Sequence, residues 1–104
     1  MKTYIISYNL SNSARNYSDF YDAIKTNMPE NRHMLETAWI VKTDLTANEI
    51  LKLLKPHLHF VDYDCDTIFV SEINNGNMNG VIASSLWPFI TDKEGDDKEK
   101  VETK

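Results

Sequence analysis

The side chains best suited to binding a metal ion fall within residues 57–66. The segment contains His57, His59, Asp62, Asp64, Cys65 and Asp66. Two histidines and a cysteine are ligand types that suit zinc, but a second pair of ligands with zinc-site spacing is missing. The alternating aspartates imitate the start of a calcium loop, yet Thr67 and Ile73 stand where that loop needs Gly and Glu. The pattern therefore favours a solvated acidic turn, and we expect no bound metal or cofactor there.

A second set of polar side chains surrounds the end of a β-type run at residues 2–9. The run K-T-Y-I-I-S-Y-N carries Ser7 and delivers Asn9 to the start of a turn-forming loop. Asn9 can bind a ligand or nucleotide at the strand end, or satisfy the loop backbone as a turn residue. Arg15 can contact a phosphate through two N–H groups, or pair with a neighbouring acid at the surface. With Asn16, these side chains form the candidate contact site for a ligand or partner.

Aromatic residues provide a further candidate surface. Tyr8, Trp39 and Trp87 can stack on nucleic-acid bases or contribute to a dimer interface. Apolar neighbours on both sides favour the alternative, packing in the core or at the dimer interface. The Asn-rich loop 74–79 can contact a partner, although Asn and Gly are also ordinary turn residues.

Composition limits the classes of function. The protein has 104 residues and a formal net charge of −5, and its sequence contains no block of basic residues. Because non-specific nucleic-acid binding relies on Lys and Arg, this balance argues against a strong phosphate-binding surface. No apolar run is long enough to span a membrane, and the start of the sequence lacks the apolar region of a signal peptide. With Cys65 as the single cysteine, these features indicate a cytoplasmic protein.

Hydrophobic periodicity predicts a helix after the first strand. One apolar face repeats at helical spacing through Tyr17, Phe20, Tyr21, Ile24 and Met28. We expect Asn16 or Ser18 to cap the start of this helix. Because Pro29 cannot continue the helix, the pattern predicts its end near Asn27.

The middle of the sequence predicts two more strands with a helix between them. The second strand is expected over residues 34–43. Thr46 and Glu49 have the spacing of a capping box, which opens a helix that Pro56 limits to about three turns. The third strand covers residues 67–73.

The last part of the sequence is less regular. After a polar loop, residues 81–90 have apolar side chains at helix-compatible spacing, so we predict a short helix. A strand is the alternative, because Pro88 weakens the helical interpretation. Residues 92–104 are charged and nearly devoid of apolar groups, which predicts a flexible tail.

This order of elements predicts an α/β fold of the α+β type. The economical solution is a ferredoxin-like sandwich, an antiparallel sheet with two helices on one face. That fold needs two strands between its helices, and residues 34–43 supply both if the segment bends. We therefore expect one domain over residues 1–91, followed by the flexible tail 92–104.

Several stretches resemble one known family. The opening Y-I-I-S-Y-N-L followed by Arg15-Asn16-Tyr17 is similar to the start of the CRISPR-associated Cas-two family, and more so to its stand-alone SinR-like relatives. The stretch Glu36 to Ile50 resembles the family's second strand and capped second helix. The stretch Asp62 to Val70 resembles its acidic turn and following strand. The resemblance covers roughly residues 2–90 of this sequence.

The resemblance implies a ferredoxin-like fold and a homodimer. In nuclease-active members of the family, an Asp at the end of the first strand of each protomer holds a divalent metal at the dimer interface. Asn9 occupies that position here, and a neutral amide is a weak ligand for Mg²⁺. We therefore predict a non-catalytic binding module for a protein or nucleic-acid partner.

Two alternatives remain open. The first is a Mg²⁺- or Mn²⁺-dependent endonuclease acting on RNA or DNA, which would use Asn9, Ser7 and Glu36 with acids from the partner protomer. The second is a phage or mobile-element protein that interferes with a host defence complex. The acidic net charge of −5 suits the second, because acidic surfaces can occupy basic nucleic-acid channels.

Overall fold

The computed structural model of the protein describes residues 1–12, 14–60, 65–74, 76–91 and 99–101. The protein divides into two compact units, Met1–Glu72 and Ile73–Lys104. The candidate residues of the β1 end and its following loop all belong to the first unit.

The first unit is an α+β arrangement built on one antiparallel sheet. Its elements in sequence order are β1 (Lys2–Asn9), α1 (Ser18–Asn27), β2 (Glu30–Leu35), β3 (Ala38–Thr43), α2 (Ala47–Leu54) and β4 (Thr67–Glu72). The strand order is β2-β3-β1-β4, and every neighbouring pair is antiparallel. The predicted α+β class with an antiparallel sheet is therefore confirmed, with β1 between β3 and β4.

The core lies on one face of β1. Tyr4, Ile6 and Tyr8 are buried there, and α1 and α2 supply buried residues to the same hydrophobic cluster. Alternate residues of a strand point to opposite faces, and on the second face Ile5 and Ser7 stay partly exposed. The second face of this strand is thus only partly covered.

Helix α1 has the predicted buried face, with Phe20, Ala23 and Ile24 in the core. Its end at Asn27 agrees with the stop expected from Pro29. The predicted caps were wrong, because Tyr17 occupies the N-cap position and makes no capping hydrogen bond with its hydroxyl. The Asn16 amide oxygen instead accepts a hydrogen bond from the Ser18 N–H at 2.9 Å, which shapes the loop just before the helix.

The single strand predicted over residues 34–43 was wrong, whereas the bend considered for the same segment is present. Two strands, β2 and β3, form a hairpin around Glu36 and Thr37, and β2 begins at Glu30, ahead of the predicted start. The turn is held to the centre of the sheet, since the Tyr8 N–H donates to the Thr37 carbonyl at 3.0 Å. Because neither turn residue is a Gly, Pro or Asn, the sequence carried no local signal for the reversal.

The capping box of α2 is confirmed. Thr46 Oγ1 accepts from the Glu49 N–H at 3.1 Å, and Glu49 Oε1 accepts from the Thr46 N–H at 2.9 Å. The α-helix is shorter than predicted and ends at Leu54, after 8 residues. A 3-10 turn, Lys55–His57, follows it and accommodates Pro56 in a first turn, where a backbone N–H is not needed.

The second unit contains β5 (Val81–Ala83), α3 (Leu86–Thr91) and β6 (Glu99–Val101). The segment 81–90 is therefore a strand followed by a helix. The predicted helix and the alternative of a strand each hold for part of it. Pro88 lies in the first turn of α3, where it costs no intrahelical hydrogen bond. Strand β6, which lies within the predicted flexible tail, pairs in parallel with β5. The flexibility of the tail stays a prediction. The rest of the predicted tail lies outside the described residues, and the domain boundary at residue 91 stays a prediction.

In the described part of the protein, none of the helices has the length and apolarity that crossing a bilayer requires.

Candidate functional site

A buried carboxylate, Asp66, organises the loop that follows β1. Asp66 is only 1% exposed and directly precedes β4. Since Thr67 pairs with Asn9 across the sheet, Asp66 lies beside the start of the β1–α1 loop. Asp66 Oδ1 accepts from the Ser11 N–H at 2.9 Å and from Ser11 Oγ at 3.1 Å. It also accepts from the Tyr17 hydroxyl at 2.7 Å.

The second carboxylate oxygen holds the segment after α2. Asp66 Oδ2 accepts from the His59 N–H at 2.8 Å, and the Asp66 N–H donates to the His59 carbonyl at 2.6 Å. One carboxylate therefore connects the β1–α1 loop, the segment that follows α2 and the start of β4. We call this set of four residues, Ser11, Tyr17, His59 and Asp66, the Asp66 clamp.

The clamp fixes the protonation of its own members. Burial by itself raises the pKa of the Asp66 carboxyl, but the hydrogen bonds from Tyr17, Ser11 and His59 outweigh it and keep that pKa below its ordinary value. Burial and the hydrogen bond to Asp66 raise the pKa of the Tyr17 hydroxyl. Asp66 is thus the ionised acceptor and Tyr17 the neutral donor at physiological pH.

The predicted solvated acidic turn was wrong for Asp66, which is neither solvated nor in an open turn. Asp62 and Asp64 lie outside the described residues. Among the residues that the structure does describe, no three His, Cys, Asp or Glu side chains gather as a metal site would need. The clamp could not be found from local sequence, because the partners Ser11 and Tyr17 are 55 and 49 positions from Asp66.

Arg15 pairs with the buried carboxylate of the clamp rather than with an acid at the surface. Its Nη1 is 3.9 Å from Asp66 Oδ2, and the arginine side chain is 31% exposed. The predicted pairing with an acid is therefore present, but the acid is buried and distant in sequence. The partly exposed Arg15 side chain belongs to the loop that begins after Asn9.

Asn9 itself is exposed at the end of β1. With Ser7, Thr67 and Phe69 it lines a shallow depression of about 240 Å³. The turn chemistry that we considered for Asn9 is carried out by other asparagines of the loop. Asn12 Oδ1 accepts from the Ala14 N–H at 3.0 Å, and Asn16 makes the corresponding bond to Ser18.

Phe69 is a feature of this surface that the sequence analysis missed. It pairs with Ser7 across the sheet, on the face opposite the core, and its side chain is 68% exposed. The alternation in β4 carries the signal, because Ile68 and Val70 pack against the core and Phe69 must then point away from it.

The aromatic candidates are buried. Tyr8 and Trp39 are 5% and 4% exposed, and Trp39 Nε1 donates to the Tyr8 hydroxyl at 2.9 Å. The Tyr8 ring contacts Phe20 edge to face, with ring centroids 5.0 Å apart. Trp87, in the second unit, is also buried. Tyr8 and Trp39 therefore pack in the core, and neither ring is accessible for stacking on a base.

A larger depression of the first unit lies at the opposite end of the sheet. It has a volume of about 580 Å³ and is lined by residues that include Pro29, Thr43, Leu45 and Leu53. None of the candidate residues contributes to it. The polar candidates converge instead on the Asn9 end of the sheet.

Comparison of the sequence and fold with protein-family models, with curated proteins and with solved structures gave no match. The resemblance to the Cas-two family stays a prediction.

Proposed function

We propose that the protein is a Cas-two-like, homodimeric binding module without catalytic activity, built on a ferredoxin-like fold. The order β1-α1-β2-β3-α2-β4 with the sheet order 2-3-1-4 supports the fold, because it supplies two strands between the helices. The same arrangement brings the Asn9 end of β1 next to the outer strand β4.

The observation that carries the proposal is the exposure of Phe69. A phenylalanine that is 68% exposed stands in a depression otherwise lined on this face by the neutral polar residues Ser7, Asn9 and Thr67. Exposed aromatic groups in surroundings poor in charge are typical of protein interfaces. Strand β4 is also an outer strand of the four-stranded sheet, and outer strands need cover.

A second copy of the protein is the partner that these features favour. Strand β4 reads T-I-F-V-S-E and contains no Lys or Arg to contact phosphates. The net charge of −5 works against nucleic acid in the same way. In a two-fold interface the same surface patch of each protomer contacts its copy on the partner. One exposed Phe69 on each protomer is therefore enough to form both sides of the interface.

The test is the oligomeric state of the protein and of a Phe69→Ser variant. Light scattering at micromolar concentration is expected to give about twice the 12.0 kDa monomer mass for the native protein. Phe69→Ser is expected to weaken the dimer by tenfold or more, since a central aromatic residue of an interface is worth about 1.4 kcal/mol or more.

Phe60→Ser is the matched control. Phe60 is a second exposed phenylalanine, 42% exposed, which lies outside β4 and packs near the Lys55 ammonium. A native protein that stays monomeric, or equal weakening by both substitutions, contradicts the proposed interface. A monomer that binds single-stranded RNA or DNA through Phe69 would replace it with a nucleic-acid interface.

The proposal of a non-catalytic module rests on Asn9. The native protein is expected to leave RNA and DNA intact in Mg²⁺ or Mn²⁺, and its melting temperature is expected not to respond to these ions. Asn9→Asp places two carboxylates near each other across a symmetric interface, so Mg²⁺ or Mn²⁺ is expected to stabilise that variant by binding between them. Metal-dependent cleavage by the native protein that is lost in Asn9→Ala contradicts this prediction and favours the endonuclease.

A further inference from the structure

We infer that Asn79 is a self-modification site, at which the backbone nitrogen of Gly80 converts the asparagine side chain to aspartate and isoaspartate. Asn79 is exposed, and both residues lie in the irregular segment before β5. The inference is independent of the proposed function, and it concerns the Asn-rich loop that the contact site does not use.

The geometry brings the two reacting groups together. The Gly80 N–H donates to Asn79 Oδ1 at 2.9 Å, so the nitrogen lies beside the amide group whose Cγ it must attack. Reactions within one molecule gain most of their rate from such approach of the reacting atoms. Gly80 has no Cβ to shield its nitrogen, and the space around its Cα is open.

The chemistry needs only water as a co-reactant. The Gly80 nitrogen loses its proton to solvent base and attacks Cγ, the carbon of the Asn79 amide group. A bond forms between the Gly80 nitrogen and Cγ, the bond between Cγ and Nδ2 breaks, and Nδ2 leaves as ammonia with a proton from solvent. Water then opens the resulting five-membered succinimide at either carbonyl, which gives aspartate or isoaspartate. No electron transfer takes place.

The product alters the second unit at a sensitive position. Either product carries a negative charge where the native side chain is neutral, and isoaspartate adds one atom to the backbone path. Val81, two residues later, begins β5, which pairs with β6 through Val81 and Glu99. The isoaspartate form is therefore expected to weaken this short parallel pair.

The experiment follows the intact folded protein during incubation in neutral to mildly alkaline buffer. Peptide mapping by mass spectrometry, with an isoaspartyl methyltransferase assay, measures conversion at each asparagine. Asn79 is expected to convert at least about tenfold faster than Asn77, because the side chain of Met78 hinders attack there and small misplacements cost up to about a hundredfold.

Gly80→Ala is the matched variant. An added Cβ at position 80 meets nothing within 4 Å, so the variant is expected to keep the fold. Conversion at Asn79 is expected to fall to the rate seen at Asn77, with no change in the circular dichroism spectrum. The protein unfolded in denaturant gives the reference rate for Asn79 when it is not held by the folded structure.

Two results overturn the inference. The first is an Asn79 that stays intact in the folded protein for the time in which it reacts in the unfolded protein, because the loop then protects the residue. The second is conversion at the native rate in Gly80→Ala, because the absence of a side chain at Gly80 is then not the determining feature.

Discussion

Asp66→Ala is expected to lower the free energy of unfolding by about 3 to 5 kcal/mol, the range for leaving a buried charged network without one partner. The substitution removes the acceptor of the Ser11 N–H, the Tyr17 hydroxyl and the His59 N–H at once. Of these donors the Tyr17 hydroxyl is buried, and a buried donor left without an acceptor costs about 1 to 3 kcal/mol. Urea unfolding, followed by circular dichroism, measures the change.

Asp44→Ala serves as the control for this substitution. The Asp44 side chain is 89% exposed, so the same chemical change there is expected to stay within about 0.5 kcal/mol. Equal effects of the two substitutions would mean that the clamp adds nothing to stability.

The clamp also predicts the direction of the pH dependence. The pKa of Asp66 is lower in the folded protein than its ordinary value, which is about 3.9 in an unfolded polypeptide. The stabilisation is therefore present above about pH 4 and is lost as the pH falls through the folded-state pKa. Asp66→Asn is expected to remove this part of the acid dependence and leave the rest. A steeper loss of stability in Asp66→Asn than in the native protein contradicts the prediction.

Tyr8→Phe is expected to cost about 1 to 3 kcal/mol, because it leaves a buried donor without its acceptor. That donor is Trp39 Nε1, which lies 2.9 Å from the Tyr8 hydroxyl. The hydroxyl in turn donates to the Glu36 carbonyl at 3.4 Å, so it links the β2–β3 turn to the core. Burial raises the pKa of Tyr8, which keeps the hydroxyl neutral and able both to accept and to donate a hydrogen bond.

A double-mutant cycle isolates this contact. In Trp39→Phe the donor is removed, so adding Tyr8→Phe is expected to cost less than it does in the native background, by about 1 kcal/mol. Strict additivity of the two substitutions would show that the tyrosine contributes only its ring.

The sequence predicted those elements whose signals are local. The β-type run 2–9 became β1, Pro29 marked the end of α1, and Thr46 with Glu49 formed the capping box. Each signal lies within a few residues of the structure that it specifies. The sequence allowed a bend within residues 34–43 but did not place it, because its turn, at Glu36, contains none of the residues that usually mark turns.

The candidate site was predicted only in part, for a related reason. Asn9 and Arg15 could be placed at the end of a strand and in its loop from their positions alone. Asp66 could not, since its environment is created by residues of the β1–α1 loop that only the pairing of β1 with β4 brings near. A single aspartate among several in one segment gives no local sign that it is the buried one.

The central position of β1 has a consequence for how the protein folds. Both of its partners come later in the sequence, with Ser7 pairing with Ala38 on one side and with Phe69 on the other. Neither strand pair can form until a long loop has closed. The entropy cost of closing the loop comes before the contacts that offset it. We therefore expect slow folding for a protein of this length. During that delay the apolar strand Tyr4–Tyr8 has two open edges, which makes it the segment most exposed to aggregation.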